Sequence, residues 1–476
     1  MIYTLRDYQQ ESSDAAASFF QTKNDRNGLL VLPTGAGKSL VIADIAFRLG
    51  APLLVLQPSR EILSQNYAKL RSYGVEDCSI YSASLNSKKI SRITFATIGS
   101  IMAHIDDFDH FKYIIVDEAH CVNASQGQYK QFFDKVKRKI LGLTATPYRL
   151  SAALQYLDKD GKQVFRPKEP RVNDAFERQI KQMDRDAKLS ASPGLFQDNS
   201  VRSPVVITPE LSAYIEEKKD YTKRNIEFEN HLLDGSIAQE NKCILKFLTR
   251  TRPRVFHDVV YQVDISTLLS RGYLAVVDYF DLSIVDQSKL RRNSTGMDFD
   301  DKSLFSEFKQ TNFGDYLLSI VQRLLHPKDG KPRRGILVFT KYLEECEALV
   351  KRLPSCSLVS GSTPKKERDE IIENFKLGCI DVLVNVGVLT TGFDYPELDT
   401  VVMARPTMSL ALYYQIIGRG IRPHPSKKSL WFVDLCGNIK RFGKVEDLHL
   451  AEPNPGEYII TGCAEGATKQ LTNIYF

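Results

Sequence analysis

Short runs of consecutive apolar residues open the chain and alternate with segments whose apolar positions recur every three or four residues. GLLVLP (28–33), LLVLQ (53–57), ITFA (93–96), YIIVD (113–117) and ILGL (140–143) have the length and composition of buried strands. Between the first two, Ser39 to Leu49 places Leu40, Ile42, Ile45, Ala46 and Leu49 on a helical period. Uninterrupted apolar strands separated by helices predict a parallel sheet covered on both faces. The pattern returns late in the chain, with strands at GILVFT (335–340), CSLVS (356–360), DVLVNV (381–386), TVVMA (400–404) and LWFVDL (430–435) and helices over 342–352, 364–377 and 408–419. The fold class expected is α/β, with two parallel-sheet domains in tandem and an inserted accessory region. Residues 1–150 form the first domain and 331–440 the second. Residues 151–255, charge-rich but balanced and broken by RPKEP, ASPG and RSP, form the partly helical insertion. Residues 256–330 connect to the second domain and 441–476 form a C-terminal segment.

The chain has 476 residues, too many for one ordinary core, which agrees with several domains. Its apolar runs are strand-length and fall short of the about 20 residues that cross a bilayer. MIYTLRDYQQ lacks a basic stretch followed by an apolar one, so the expectation is a cytoplasmic protein without membrane attachment. The 8 cysteines are scattered without a CxxC pair, which favours reduced thiols over disulfides or zinc. No HExxH occurs, so the only metal expected is one that arrives with nucleotide. A formal net charge of +6 permits polyanion binding without requiring it. The basic clusters at 135–139, 250–254, 331–334 and 440–441 are each more often a solvated face than a phosphate contact.

Specific chemistry enters with LPTGAGKS (32–39), placed between a strand and a helix. Thr34, Gly35, Ala36 and Gly37 form a loop whose glycines let backbone N–H groups converge on phosphate, beside the positive end of the helix. Lys38 would reach the β- and γ-phosphates and Ser39 would ligate Mg2+. Leu32 stands where the general pattern has its first glycine. DEAH (117–120) ends the strand YIIV. There Asp117 would hold Mg2+ through water and Glu118 would polarise the attacking water.

With these two motifs in place, the chain resembles a superfamily-two helicase of DEAH type, which implies two RecA-like domains, ATP and Mg2+ as cofactors and nucleic acid as partner. Further strings match that family in order. LRDYQ (5–9) resembles the adenine-reading Q motif, which assigns Arg6 and Gln9 to nucleotide. QPSRE (57–61) and FATIGS (95–100) resemble motifs Ia and Ib, which implies that Ser59, Arg60, Thr97 and Gly99 contact the nucleic-acid backbone. LTATP (143–147) resembles motif III, so that Thr144 and Thr146, with His120, would couple nucleotide state to the track. VFTKY (338–342) and VLTTGFD (388–394) resemble motifs IV and V, which implies that Thr340, Thr390 and Thr391 face nucleic acid and Gly392 and Asp394 face nucleotide. QIIGRGIR (415–422) resembles motif VI. Gln415 would order water or nucleotide, and Arg419 and Arg422 would be arginine fingers.

Any one of these strings alone is more often a turn or a solvated helix face. Their order, split correctly over two α/β units, is what carries the resemblance. It covers about 1–150 and 330–435 and is greatest towards RadD-like, UvsW-like and XPB-like DNA helicases, and more broadly RecG-like motors. It implies an ATP-dependent motor on single-stranded, forked or branched DNA, in repair, recombination or replication. An RNA helicase, the motor of a restriction or defence assembly, and a non-catalytic clamp are the competing readings.

Overall fold

The computed structural model describes residues 4–123, 125–170, 172–190, 205–390, 393–464 and 467–473. The chain divides into two compact units, residues 1–152 with 243–476 and residues 153–242.

The larger unit holds two parallel sheets. Across the first, the strands run Asp258–Gln262, Gly28–Val31, Ile140–Thr144, Tyr113–Asp117, Leu53–Gln57, Ile93–Thr97 and Cys78–Ser82, with the short Ser87–Lys88 antiparallel at the edge. Its central strands are buried along their whole length, which is why they are uniformly apolar. Across the second sheet the order is Val276–Asp281, Ser429–Asp434, Thr400–Ala404, Ile336–Thr340, Val382–Val386 and Cys356–Val359, all parallel. Ligand sites on such sheets lie beyond the carboxyl ends of the strands, and every motif named above sits at or just after one except LRDYQ and QIIGRGIR, the latter at the end of the helix Leu410–Ile417. The segment 256–330, expected only as a connector, supplies an outer strand to each sheet: Asp258–Gln262 pairs with Gly28–Val31, and Val276–Asp281 pairs with Ser429–Asp434. Residues His449–Asn454, Glu457–Ala464 and Ala467–Gln470 form an antiparallel meander.

The smaller unit carries the helices Asp174–Ser190 and Pro209–Leu233 and a small core of Tyr156, Phe228 and Ile237. Thr208 caps the second helix by accepting from Leu211 N, and Pro209 opens it. An apolar groove of about 750 Å3, lined by Ile180, Met183, Ile215 and Ile226, runs between the two helices. A three-stranded sheet of Ile237–Phe247, Tyr148–Asp158 and Gln163–Val164 carries the chain in and out.

Three of the basic clusters hold residues that are ion-paired where they stand. Lys135 pairs with Asp106, Arg138 with Asp109, Arg250 with Glu457 and Arg333 with Asp399. Among the described residues no helix is long and apolar enough to cross a membrane.

One buried carboxyl gives a stability prediction. Glu345 lies in the first turn of Leu343–Arg352, is 7% exposed, and its Oε2 has no hydrogen-bond partner among the described residues. Burial pushes its pKa up to about 7. The folded state therefore holds a proton that the unfolded chain releases near pH 4.5, so stability falls as pH rises from there to about 7. Glu345→Gln removes the charge, and is expected to stabilise the protein by about 1–2 kcal/mol at pH 8 and by little at pH 5. Urea unfolding at the two pH values checks this; an equal effect at both would contradict it.

Candidate active site and nucleic-acid interface

The P-loop turns on two residues in the left-handed region, Gly35 (φ 83°) and Gly37 (φ 78°), and delivers Lys38 and Ser39 to the start of the helix Lys38–Leu49. Glu118, at φ 49°, is a non-glycine residue in the same region, directly after the strand that ends in Asp117. Strain of that kind collects where a side chain must be aimed. Lys38 Nζ lies 3.5 Å from Glu118 Oε1. Asp117 accepts from Asn66 Nδ2 at 2.8 Å and from Glu118 N at 2.9 Å.

Together Thr34, Gly35, Gly37, Lys38, Ser39, Asp117 and Glu118 from the first domain and Asp394, Arg419 and Arg422 from the second line one cavity of about 290 Å3. Arg419 Nη1 donates to Phe393 O at 2.9 Å and its Nε donates to Gln415 O at 3.3 Å, which fixes the guanidinium fork. Arg422 is ion-paired with Asp394.

Electrostatics separates the two adjacent carboxylates. Burial, and then the charge of Glu118, push the Asp117 pKa up to about 7. Burial also acts to raise Glu118, but Lys38, His120 and Arg419 around it outweigh that and hold its pKa down. Burial keeps His120 below the ordinary imidazole range, so it is neutral at pH 7. Gln415 Nε2 lies 3.0 Å from His120 Nε2. With the amide donating, the imidazole proton sits on Nδ1, 3.0 Å from Thr144 Oγ1 and 3.4 Å from Glu118 Oε2. Thr144 Oγ1 in turn accepts from Thr146 N at 3.0 Å. A continuous polar relay therefore joins Gln415 of the second domain to Glu118 and Thr144 of the first.

Close backbone approach holds the cleft together. A Cβ on Gly418 would meet Thr34 Cγ2 at 2.5 Å and Thr34 Cβ at 2.6 Å, and one on Gly35 would meet Leu274 Cδ2 at 3.0 Å. Gly418→Ala is therefore expected to wedge the domains apart and lower ATP turnover by about 10-fold or more. A variant as fast as wild type in steady-state phosphate release would contradict this.

The expected nucleic-acid residues divide. Ser59, Arg60 and Thr390 line a groove of about 290 Å3 between the domains, with Arg368 and Lys376 of the helix Lys365–Lys376 opposite them. Ser59 Oγ also accepts from Ile62 N and so caps the motif Ia helix. Thr97 Oγ1 lies 2.8 Å from Ser100 Oγ at the start of its helix, and Gly99 packs on the side chain of Gln128. Thr340 corrects the expectation: it is 1% exposed, and its hydroxyl donates to Tyr342 O at 3.2 Å and touches Cys346 Sγ, so it cannot face a track. Thr391 and Gly392 lie outside the described residues.

Gln9 also departs from its expected part. It is 3% exposed; its Nε2 donates to Ala36 O at 2.9 Å and its Oε1 accepts from Arg6 N at 3.0 Å. The amide tethers the helix Asp7–Gln21 to the P-loop, helped by Tyr8 OH on the same carbonyl at 2.8 Å. Arg6 donates to Tyr273 O at 3.2 Å and lies 4.5 Å from the centre of that ring. Sequence reasoning missed Asn66, Tyr273, Leu274, Arg368 and Lys376. Nothing local marks any of these, since even the helix that carries Arg368 and Lys376 balances four basic with four acidic residues.

Comparison with known proteins decides the family. The family described as "Type III restriction enzyme, res subunit" matches residues 2–149, and "Helicase conserved C-terminal domain" matches residues 316–424. The chain belongs to the superfamily-two helicases. That family consists of ATP hydrolases built on two RecA-like domains, the architecture of the larger unit. The chain is similar to IRC3 of Saccharomyces cerevisiae, named as an ATP-dependent helicase, at 31% identity over 40% of this chain and 27% of that protein. It is similar to the DNA 3'-5' translocase XPB2 of Sulfurisphaera tokodaii at 24% identity over 88% of this chain and 78% of that protein. Among solved structures, the DNA-bound ATP-dependent Type ISP restriction-modification enzyme LlaBIII superposes with a TM-score of 0.52 at 17% identity, over 91% of this chain and 28% of that one. The superfamily-two helicase chain thus spans little more than a quarter of the length of two of these three.

Proposed function

We propose that this chain is an ATP-dependent DNA helicase or translocase that moves on and remodels forked or branched DNA in repair, recombination or replication. The observation that carries the proposal is the relay Gln415–His120–Thr144, which touches Glu118 inside a cleft whose neighbouring groove holds Ser59, Arg60 and Thr390. ATP binds with its phosphates on residues 34–39. Glu118, held ionised beside Lys38, accepts the proton of the attacking water. Arg419, fixed by Phe393 O and Gln415 O, faces the charge that develops on the transferred phosphoryl group. Gln415 and Arg419 share one short segment, so loss of the γ-phosphate alters both the arginine contact and the pull on His120. Motif III and the groove beside it respond to the same event.

Mg2+ suits the residues present. Asp117, buried, and Glu118, partly buried, are adjacent carboxylates beside Lys38, and burial and then the Glu118 charge raise the Asp117 pKa, which a bound cation would offset. Asp117 and Ser39 would hold the ion, which supplies neutralisation of the β- and γ-phosphate oxygens when bound.

DNA is preferred as the track because the similarity to the archaeal DNA translocase extends along 88% of this chain. A second reading, the translocating subunit of a restriction or defence assembly, is favoured by the family matched at residues 2–149. Strand separation on a fork and on a matched plain duplex, with DNA and RNA versions of each, tests the choice. ATP-dependent opening of forked DNA is expected. Opening of RNA alone overturns the DNA track. ATP-driven displacement of a bound third strand without fork opening favours the restriction-type motor.

A further inference from the structure

Arg419 of motif VI is only as well placed as the helix it directly follows, Leu410–Ile417. That helix is entered by a loop after the strand Thr400–Ala404 and is packed by a short helix, Asn438–Phe442, that follows the next strand, Ser429–Asp434. The contacts between these elements are specific. Asp434, fully buried, accepts from Cys436 N at 3.0 Å, Ile439 N at 2.7 Å and Asn438 Nδ2 at 2.8 Å. Gly437, at φ 75°, makes the turn that lets its own strand and helix close on that carboxylate. Asn438, also fully buried, spends the rest of its amide on the opposite loop. Its Nδ2 donates to Arg405 O at 3.1 Å and its Oδ1 accepts from Thr407 N at 3.0 Å.

The relay continues into the motif VI helix. Thr407 Oγ1 accepts from Ser409 N at 3.0 Å, and Ser409 Oγ caps the helix by accepting from Leu412 N at 3.2 Å. At the other end of the short helix, Gly443 O accepts from Tyr413 OH at 2.8 Å, and the Tyr413 and Phe442 rings lie 5.1 Å apart. Thus one helical turn grips both the entrance loop and the body of the element that bears Gln415 and Arg419.

We infer that Asn438, oriented by Asp434, is a positioning residue that fixes the loop 405–409 and thereby sets where Gln415 and Arg419 stand against Glu118 and His120. The inference rests on the ATP-hydrolysing role proposed for the cleft. Its chemical content lies in the side chain required. Only a carboxamide of this length both donates to the Asp434 carboxylate and Arg405 O and accepts from Thr407 N. Aspartate keeps the acceptor, loses both donors and adds a like charge against Asp434. Asn438 touches neither the P-loop nor the cavity, so its loss acts on the chemical step and leaves the nucleotide-binding surface of the first domain as it was.

The test is steady-state ATP turnover with saturating DNA for wild type, Asn438→Ala and Ser409→Ala, alongside Lys38→Ala, with binding of a fluorescent ATP analogue and far-UV circular dichroism on each. Asn438→Ala is expected to lower kcat by about 10-fold or more while KM and analogue binding stay within about threefold. Ser409→Ala, at the half-buried end of the relay, is expected to move kcat in the same direction by a smaller factor with unchanged fold. If Asn438→Ala fails to fold, Ser409→Ala decides. A kcat within about twofold of wild type in a folded variant overturns the inference, as does a KM that rises in step with the loss of kcat. Wild-type turnover abolished by Lys38→Ala but untouched by Asn438→Ala sinks this inference alone. Absence of turnover in wild type overturns the proposed function and the inference with it.

Discussion

Replacing Glu118 with glutamine is expected to cut ATP turnover by at least about 100-fold, with nucleotide binding retained. The side chain sits at the meeting point of Lys38, His120 and the buried strand end, and it is the carboxylate of the pair that its neighbours keep ionised. Glutamine preserves its size and a hydrogen bond to His120 but cannot take a proton. Asp117 cannot substitute, since both its oxygens are engaged by Asn66 and the Glu118 amide. Single-turnover hydrolysis with enzyme in excess over radiolabelled ATP reads the chemical step directly. A rate within about 10-fold of wild type would mean that another group is the base.

The second large effect belongs to Arg419. Arg419→Lys keeps the charge but discards the planar fork that bonds Phe393 O and Gln415 O, and a loss of about 1,000-fold in kcat is expected. Removing Arg422 should cost less, because that guanidinium is already ion-paired with Asp394 and is directed by it. Comparison of kcat for Arg419→Lys and Arg422→Lys tests the ranking; a larger defect in the latter would transfer the finger role to Arg422.

The central strands of both sheets and the glycine-rich loop that lines the candidate cleft were legible in the sequence because each is a local signal. A strand buried on both faces must be apolar throughout, and a phosphate loop must place glycine and lysine at fixed offsets. Gly28–Val31, Leu53–Gln57, Tyr113–Asp117 and Val382–Val386 all fall within the runs read from apolar content. The two outer strands from 256–330 escaped, whereas the outer strand Cys356–Val359 was read as CSLVS. In Val276–Asp281 burial is confined to one position and polar residues interrupt the run, as an edge strand with one wet face allows. Long-range pairings were equally hidden. Gln415 was assigned to water or nucleotide because nothing in its own neighbourhood points to His120, 295 residues away. Thr340 and Gln9 carry family motifs whose side chains turn inward, and no spacing distinguishes an inward threonine from an outward one. Asn438 shows the same limit, since its role exists only where two strand ends meet.

The central claim is that one cleft, built from both domains, hydrolyses ATP in response to nucleic acid. It is tested most directly by continuous phosphate release from the purified chain with ATP and Mg2+, before and after addition of forked DNA, single-stranded DNA, duplex DNA or RNA. The account predicts low release alone, stimulation of about 10-fold or more by forked DNA, and loss of both rates in Glu118→Gln. Release that is absent under every condition from folded, ATP-binding protein, or unchanged in Glu118→Gln, would contradict it.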